Sequence, residues 1–93
     1  MTVGVLNLAI FIENSNSLKE KRMVLHSLKA RLRNNFNVAV TQAGDEDKWQ
    51  KATLAVVGIE KNRQNMNRVL SRAVNFIATF RQIVLIDYEI DLL

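Results

Sequence analysis

The chain holds one histidine, His26, no cysteine, and three glycines, Gly4, Gly44 and Gly58, among 93 residues. Disulfides and thiolate metal sites are excluded. The acid nearest upstream of His26 is Glu20, six residues away and off its helical face, so neither a metal site nor a nucleophile–base pair is expected there. Scattered glycines cannot form a Gly-x-Gly-x-x-Gly or Walker loop, which argues against nucleotide hydrolysis. Two carboxylate groups remain. Asp45-Glu46-Asp47 is a short loop run without the spacing or distal glutamate of a calcium loop. Asp87, Glu89 and Asp91 share one face of a strand, where they oppose edge-to-edge pairing. Both read as structural, so no catalytic residue, metal or cofactor is expected.

The basic residues are more informative. At ~100° per residue, Lys19, Arg22, His26, Lys29 and Arg33 fall within roughly 80° of one another on a helix. Arg68 and Arg72 are four apart on the outward arc of a second helix, with the neutral Gln64, Ser71, Asn75 and Thr79 around them. A third group, Lys48, Trp49 and Lys51, lies at a loop. Its tryptophan reads first as a plug for the end of a small core and second as an aromatic platform for a base.

These residues are positioned by elements that the hydrophobic period marks out. Val3 to Glu13 alternates, with Leu6, Leu8, Ile10 and Ile12 on one face and Val5, Asn7, Ala9 and Phe11 on the other, both apolar enough for a central strand. Ser17-Leu18-Lys19-Glu20 is a capping box that starts a helix whose buried stripe is Leu18, Val24, Leu25, Leu28 and Leu32. Lys21 points near the centre of that apolar arc and must snorkel past the strand ends. Asn37 to Ala43 alternates again. Lys51 to Glu60 forms a third strand, joined to the second by a hairpin loop. Met66, Val69, Leu70, Ala73, Val74, Ile77 and Phe80 mark a helix over Asn62 to Phe80. Ile83 to Asp91 is a fourth strand with one wet face.

The order β-α-β-β-α-β with right-handed crossovers predicts a single α+β domain over residues 1–93. This is the ferredoxin-like sandwich, an antiparallel sheet of order 4-1-3-2 with both helices on one face. The other face should present Val5, Ala9, Phe11, Ala39 and Leu85, too apolar for water throughout, which suggests a homodimer or a protein partner.

Hydrophobic residues make up 48% of the chain and charged residues 24%, which excludes a disordered polymer. The longest apolar stretch, Val3 to Ile12, is about half a membrane span, and no basic residue precedes it as in a signal peptide. A cytosolic protein without a membrane role is expected. The net charge of +4 divides unevenly. Ser17 to Asn35 carries six bases against Glu20, and Lys61 to Arg81 carries five bases and no acid, so each is +5 and the remainder is −6. A merely solvated helix usually mixes signs for i,i+4 pairing. This separation points to an anionic partner, RNA foremost, against a plain solvated face or an acidic protein. The RNA-recognition motif shares the strand order but stacks bases on aromatics of its third strand, and Thr53-Leu54-Ala55-Val56-Val57-Gly58 has none. RNA should therefore meet the helices or loops. An acylphosphatase-type enzyme is disfavoured too, because Glu13-Asn14-Ser15-Asn16-Ser17 stands where its glycine-rich phosphate loop would follow the first strand.

Ser17-Leu18-Lys19-Glu20-Lys21-Arg22, Asn35-Phe36-Asn37-Val38-Ala39-Val40 and Asp47-Lys48-Trp49-Gln50-Lys51-Ala52 together resemble the YlxP-like family of small bacterial proteins, over essentially the full chain. That resemblance implies a ferredoxin-like fold and carries no catalytic residues. Members are frequently encoded near translation and ribosome-maturation factors, which implies a ribosome- or RNA-associated role. The resulting expectation is a non-enzymatic binding module. Lys19, Arg22, Lys29, Arg33, Arg68 and Arg72 contact phosphates, and His26 is accessory.

Overall fold

The computed structural model describes all 93 residues, Met1–Leu93. Strands β1 (Thr2–Ile12), β2 (Val38–Gly44), β3 (Lys51–Glu60) and β4 (Ile83–Leu92) alternate with helices α1 (Leu18–Asn35) and α2 (Arg63–Ala78) in the order β1-α1-β2-β3-α2-β4. The strands form one antiparallel sheet of order β2-β3-β1-β4, the predicted order read from its other edge. β1 is central because its two faces are both largely apolar: Leu6, Leu8, Ile10 and Ile12 are buried, and Val5 and Ala9 are half-buried on the opposite side.

The core lies between the sheet and the two helices. β1 and β3 contribute Leu6, Ile10, Ile12, Leu54 and Val56, and the helices contribute Leu28, Leu32, Met66, Leu70 and Ile77, all fully buried. Gly4 and Gly58 face each other across β1 and β3. Met66 of α2 occupies the space above them, so that a Cβ at Gly4 would lie 2.5 Å from Met66 Cγ.

The helix starts follow from local chemistry. The Ser17 hydroxyl accepts from Glu20 N–H at 3.1 Å, as a capping residue should. Glu20 reaches back to Asn16 N–H at 2.7 Å, one residue earlier than in the standard box. Asn62 caps α2 by accepting from Asn65 N–H at 2.8 Å. No helix is long and apolar enough to cross a membrane.

β4 departs from the predicted alternation. Its register against β1 shifts between Ala9 and Ile10: Asp87 pairs with Ala9, but Leu85 pairs with Ile10. Ile86 is the extra residue of a β-bulge, and the bulge reverses the phase of everything before it. Leu85 therefore stands with Ile10 on the helix side and packs against the core, not on the uncovered face as its spacing suggested. Val84, opposite Phe11, takes its place there.

Candidate functional site

α1 carries the main group of cations on a helix whose buried side is Lys21, Leu25, Leu28 and Leu32. Lys19, Arg22, His26 and Arg33 are exposed, and Lys29 is half-buried at the margin of the core. Arg68 and Arg72 are exposed on α2. Just two ion pairs exist in the molecule, Lys48 with Asp45 at 3.2 Å and Lys51 with Asp45 at 4.0 Å. Every cation of the two helices thus lacks a carboxylate partner. The separation of charge between helices and loops survives folding intact.

Both helices lie on one face of the sheet, which alone would put their cations on one positive surface, but the two groups do not merge. Arg31 marks the flank of α1 that faces α2, because its guanidinium lies over the Phe80 ring at 5.4 Å from the centroid. Arg22, Lys29 and Arg33 are about half a turn around the helix from Arg31, at ~100° per residue. The α1 stripe therefore looks away from α2, and Arg68 and Arg72 form a separate patch. Sequence reasoning counted Arg31 and Arg81 only as charge. Nothing local in the sequence points to Phe80 as the partner of Arg31.

The loop between β2 and β3 is built around Lys21. This lysine is 2% exposed, and its ammonium donates to the main-chain carbonyls of Asp45 and Lys48. Desolvation by burial pulls its pKa below the ordinary 10.5, against the opposing pull of Asp45, Asp47 and Glu46. Asp45 has a left-handed backbone, φ 62°. Its carboxylate accepts from the Thr53 hydroxyl at 2.9 Å, and that bond, with Lys48, holds its pKa below 3.8. Trp49 is 55% exposed and plugs nothing. The side chain buried against this loop is Lys21, whose ammonium takes two of its carbonyls. Trp49 instead stands in the open beside Lys48 and Lys51, whose charges Asp45 partly offsets.

The sheet face away from the helices carries Val5, Ala9 and Phe11 of β1, Ala39 and Thr41 of β2, and Val57 and Ile59 of β3. Phe11 is 37% and Ile59 45% exposed. Asp87, Glu89 and Asp91 line the β4 margin of this face opposite Ala9, Asn7 and Val5.

Fold and surface together define a small α+β protein of ferredoxin-like topology that bears unpaired cations on both helices. Residues 3–90 match the family described as "Protein of unknown function (DUF503)", and the chain belongs to that family. It is 32% identical over 81 residues to "Uncharacterized protein YlxP" of Bacillus subtilis (strain 168), across 87% of this chain and 88% of the relative. The YlxP-like resemblance read from the three sequence stretches is thereby established. Among solved structures it is similar to the VAO-type flavoprotein MtVAO615 at pH 5.0 from Myceliophthora thermophila C1, with a TM-score of 0.51 and 16% identity. That match takes in 98% of this chain but 16% of the flavoprotein, and it concerns the fold alone.

Proposed function

We propose that this protein is a non-catalytic RNA-binding module, of the kind that docks on a folded RNA such as that of the ribosome. The α1 flank formed by Lys19, Arg22, Lys29 and Arg33 grips phosphates, with His26 among them as an accessory donor. Arg68 and Arg72 reach a second segment of the same polyanion. The observation that carries this reading is that no exposed cation of either helix forms an ion pair with a carboxylate, while both ion pairs of the molecule are confined to Asp45. Free cations on a convex helical surface raise the capture rate of a polyanion and release its counterions on binding.

A gel-shift series with structured and single-stranded RNA across a range of salt tests it. Binding should be tight at low salt and weaken steeply as salt rises. Charge reversal in Arg22→Glu with Lys29→Glu should abolish it. Absence of binding at low salt, or unchanged affinity in the double variant, refutes the reading.

A second reading rests on a different observation, the exposed apolar side chains of the uncovered sheet. We propose that two copies pair through this face, burying Val5, Ala9, Phe11 and Ala39. Sedimentation of the wild type should then give a dimer, and Phe11→Lys or Ala9→Lys should give a monomer of unchanged helicity. A wild-type monomer at high concentration rules the pairing out.

A further inference from the structure

A cleft of about 360 Å³ opens between α1 and the C-terminal end of α2. Arg31, Arg81, Ser27, Thr79 and Phe80 are among its walls, and no acid is. It adjoins a second cleft of about 480 Å³ at the end of β1, with Ser27 and Gln82 lining both. The second compartment differs in chemistry: Glu13, Asn14, Glu20 and the 64% exposed Met23 line it. The two compartments are joined at Ser27 and Gln82 and are polarised from cationic to acidic along their length.

The cationic end is held ready without a counterion. Arg31 rests over Phe80, which packs edge-on against Phe76 at 5.4 Å, so stacking rather than a carboxylate fixes the guanidinium. Neither Arg31 nor Arg81 has an ion-pair partner. The last carbonyls of α2 do not hold them either, since Phe76 and Ile77 accept from Thr79 N–H and Phe80 N–H. The C-terminus of a helix carries about half a negative charge, and two guanidinium groups exceed that by a wide margin. The Thr79 hydroxyl donates to Phe76 O at 2.6 Å, which leaves its Oγ1 as an acceptor.

At the other end, one Glu20 carboxylate oxygen is taken by Asn16 N–H, while Glu13 has no side-chain partner. The Asn14 backbone is left-handed, φ 61°, and turns the chain out of β1 at this edge. Its side-chain amide and that of Gln82 make no hydrogen bond to other protein groups.

We propose that the joined cleft binds a nucleotide. The phosphate lies between Arg31 and Arg81, and the base lies against Met23 with its edge read by the amides of Asn14 and Gln82. The ribose hydroxyls donate to Glu13. An acid there excludes a second phosphate and so sets the direction in which the ligand lies. This site faces α2, on the side of α1 opposite the Arg22–Lys29–Arg33 flank, and it stands whether or not that flank binds RNA. The ligand's chemistry is common to a free nucleoside monophosphate and to the 5′-terminal nucleotide of a strand.

Amide and arginine NMR spectra of the full chain, titrated with adenosine 5′-monophosphate, uridine 5′-monophosphate, adenosine and a 5′-phosphorylated tetranucleotide, test it. The side-chain signals of Asn14, Gln82 and Arg81 should shift together. Adenosine should bind at least about tenfold more weakly than its monophosphate, as the loss of charge-assisted hydrogen bonds requires. Arg31→Gln and Arg81→Gln should each weaken the monophosphate by about the same factor with unchanged circular dichroism, and Lys61→Gln, at an exposed cation away from both compartments, should leave it unaltered. Tighter binding of the tetranucleotide identifies a strand end as the ligand, and equal or weaker binding identifies the free nucleotide. The proposal is overturned if no signal in the cleft moves at about 10 mM of any ligand, a concentration beyond any specific site. It is equally overturned if both arginine variants bind as the wild type does.

Discussion

The Lys21 ammonium donates to the main-chain carbonyl of Asp45, 24 residues further along the chain, and so ties the first turn of α1 to the loop between β2 and β3. The same ammonium accounts for the carbonyl of Lys48. Removing it leaves the Lys48 carbonyl without its partner in a part-buried site, while the Asp45 carbonyl keeps the Lys48 N–H. Lys21→Met keeps most of the stem and should cost about 1–3 kcal/mol, the range for orphaning a buried acceptor. Lys21→Ala also opens a cavity and should cost about 2–4 kcal/mol. Urea unfolding with an unchanged slope would measure both, and near-neutral values for Lys21→Met would show that the carbonyls find other donors.

The two shifted groups of this loop act in opposite pH ranges. Burial lowers the Lys21 pKa, so between that lowered value and 10.5 the unfolded chain binds more protons than the native one. The contribution of Lys21 to stability therefore rises with pH through that window and is constant below it. Asp45 is lowered from 3.8, mainly by the Thr53 hydroxyl. Its contribution is fully present above 3.8 and disappears as pH falls through its folded value. Asp45→Asn preserves a residue type that tolerates the left-handed backbone. The stability difference between wild type and Asp45→Asn should accordingly shrink on acidification below 3.8, and a difference independent of pH would contradict the assignment.

How far these features are legible in the sequence differs from element to element. The strand order follows from the period of β1, β3 and α2, because Leu6, Leu8, Ile10 and Ile12 alternate without a break and Met66 to Ile77 keeps helical spacing. The position of Lys21 on the apolar arc of α1 is equally legible, but the carbonyls that receive it come from a loop whose shape no periodicity describes. Leu85 was misplaced because a one-residue bulge at Ile86 inverts every side chain on one side of it, and the run Ile83 to Asp91 alternates equally well with or without that insertion. Trp49 is exposed because composition says which side chains could close the end of a core but not which one does, and the residue buried at this loop is Lys21. The stripe of Lys19, Arg22, His26, Lys29 and Arg33 is local to one helix and could be read directly. Its relation to Arg68 and Arg72 depends on which flank of α1 meets α2, and Arg31 over Phe80 settles that only in three dimensions.

Gly4 and Gly58 occupy equivalent positions under Met66 but differ in what an added methyl meets. At Gly4 a Cβ would stand 2.5 Å from Met66 Cγ and 2.8 Å from Leu70 Cδ1, so the helix side chain must be displaced near its root. At Gly58 it would meet the mobile end of Met66 at 2.8 Å and the Asn37 carbonyl at 3.3 Å. Gly4→Ala should therefore cost more than Gly58→Ala, about 2–3 against about 1 kcal/mol, within the span known for overpacked cores. A double-mutant cycle with Met66→Val should show a favourable coupling for Gly4→Ala. Purely additive energies would mean that Met66 is not what the methyl displaces.

The separation of the helical cations into two patches predicts an uneven salt dependence. A cation that contacts a phosphate contributes about 0.7–0.9 to the log–log slope of affinity against salt, the lower figure for single strands. Arg22→Gln with Arg33→Gln should lower the slope by about 1.4–1.8 if both arginines of the α1 flank touch the backbone of one RNA. Arg31→Gln should leave it unchanged for an RNA that ends in a 5′-hydroxyl, because Arg31, over Phe80, lies half a turn away from that flank. Arg68→Gln with Arg72→Gln should lower the slope only for an RNA long or folded enough to reach α2 while held by α1. Titrating a short hairpin and a larger folded RNA with the same three variants separates these cases. A slope that falls only in proportion to the charge removed, twice as much in each double variant as in Arg31→Gln, would show that the affinity comes from the overall charge of the protein and not from the α1 flank.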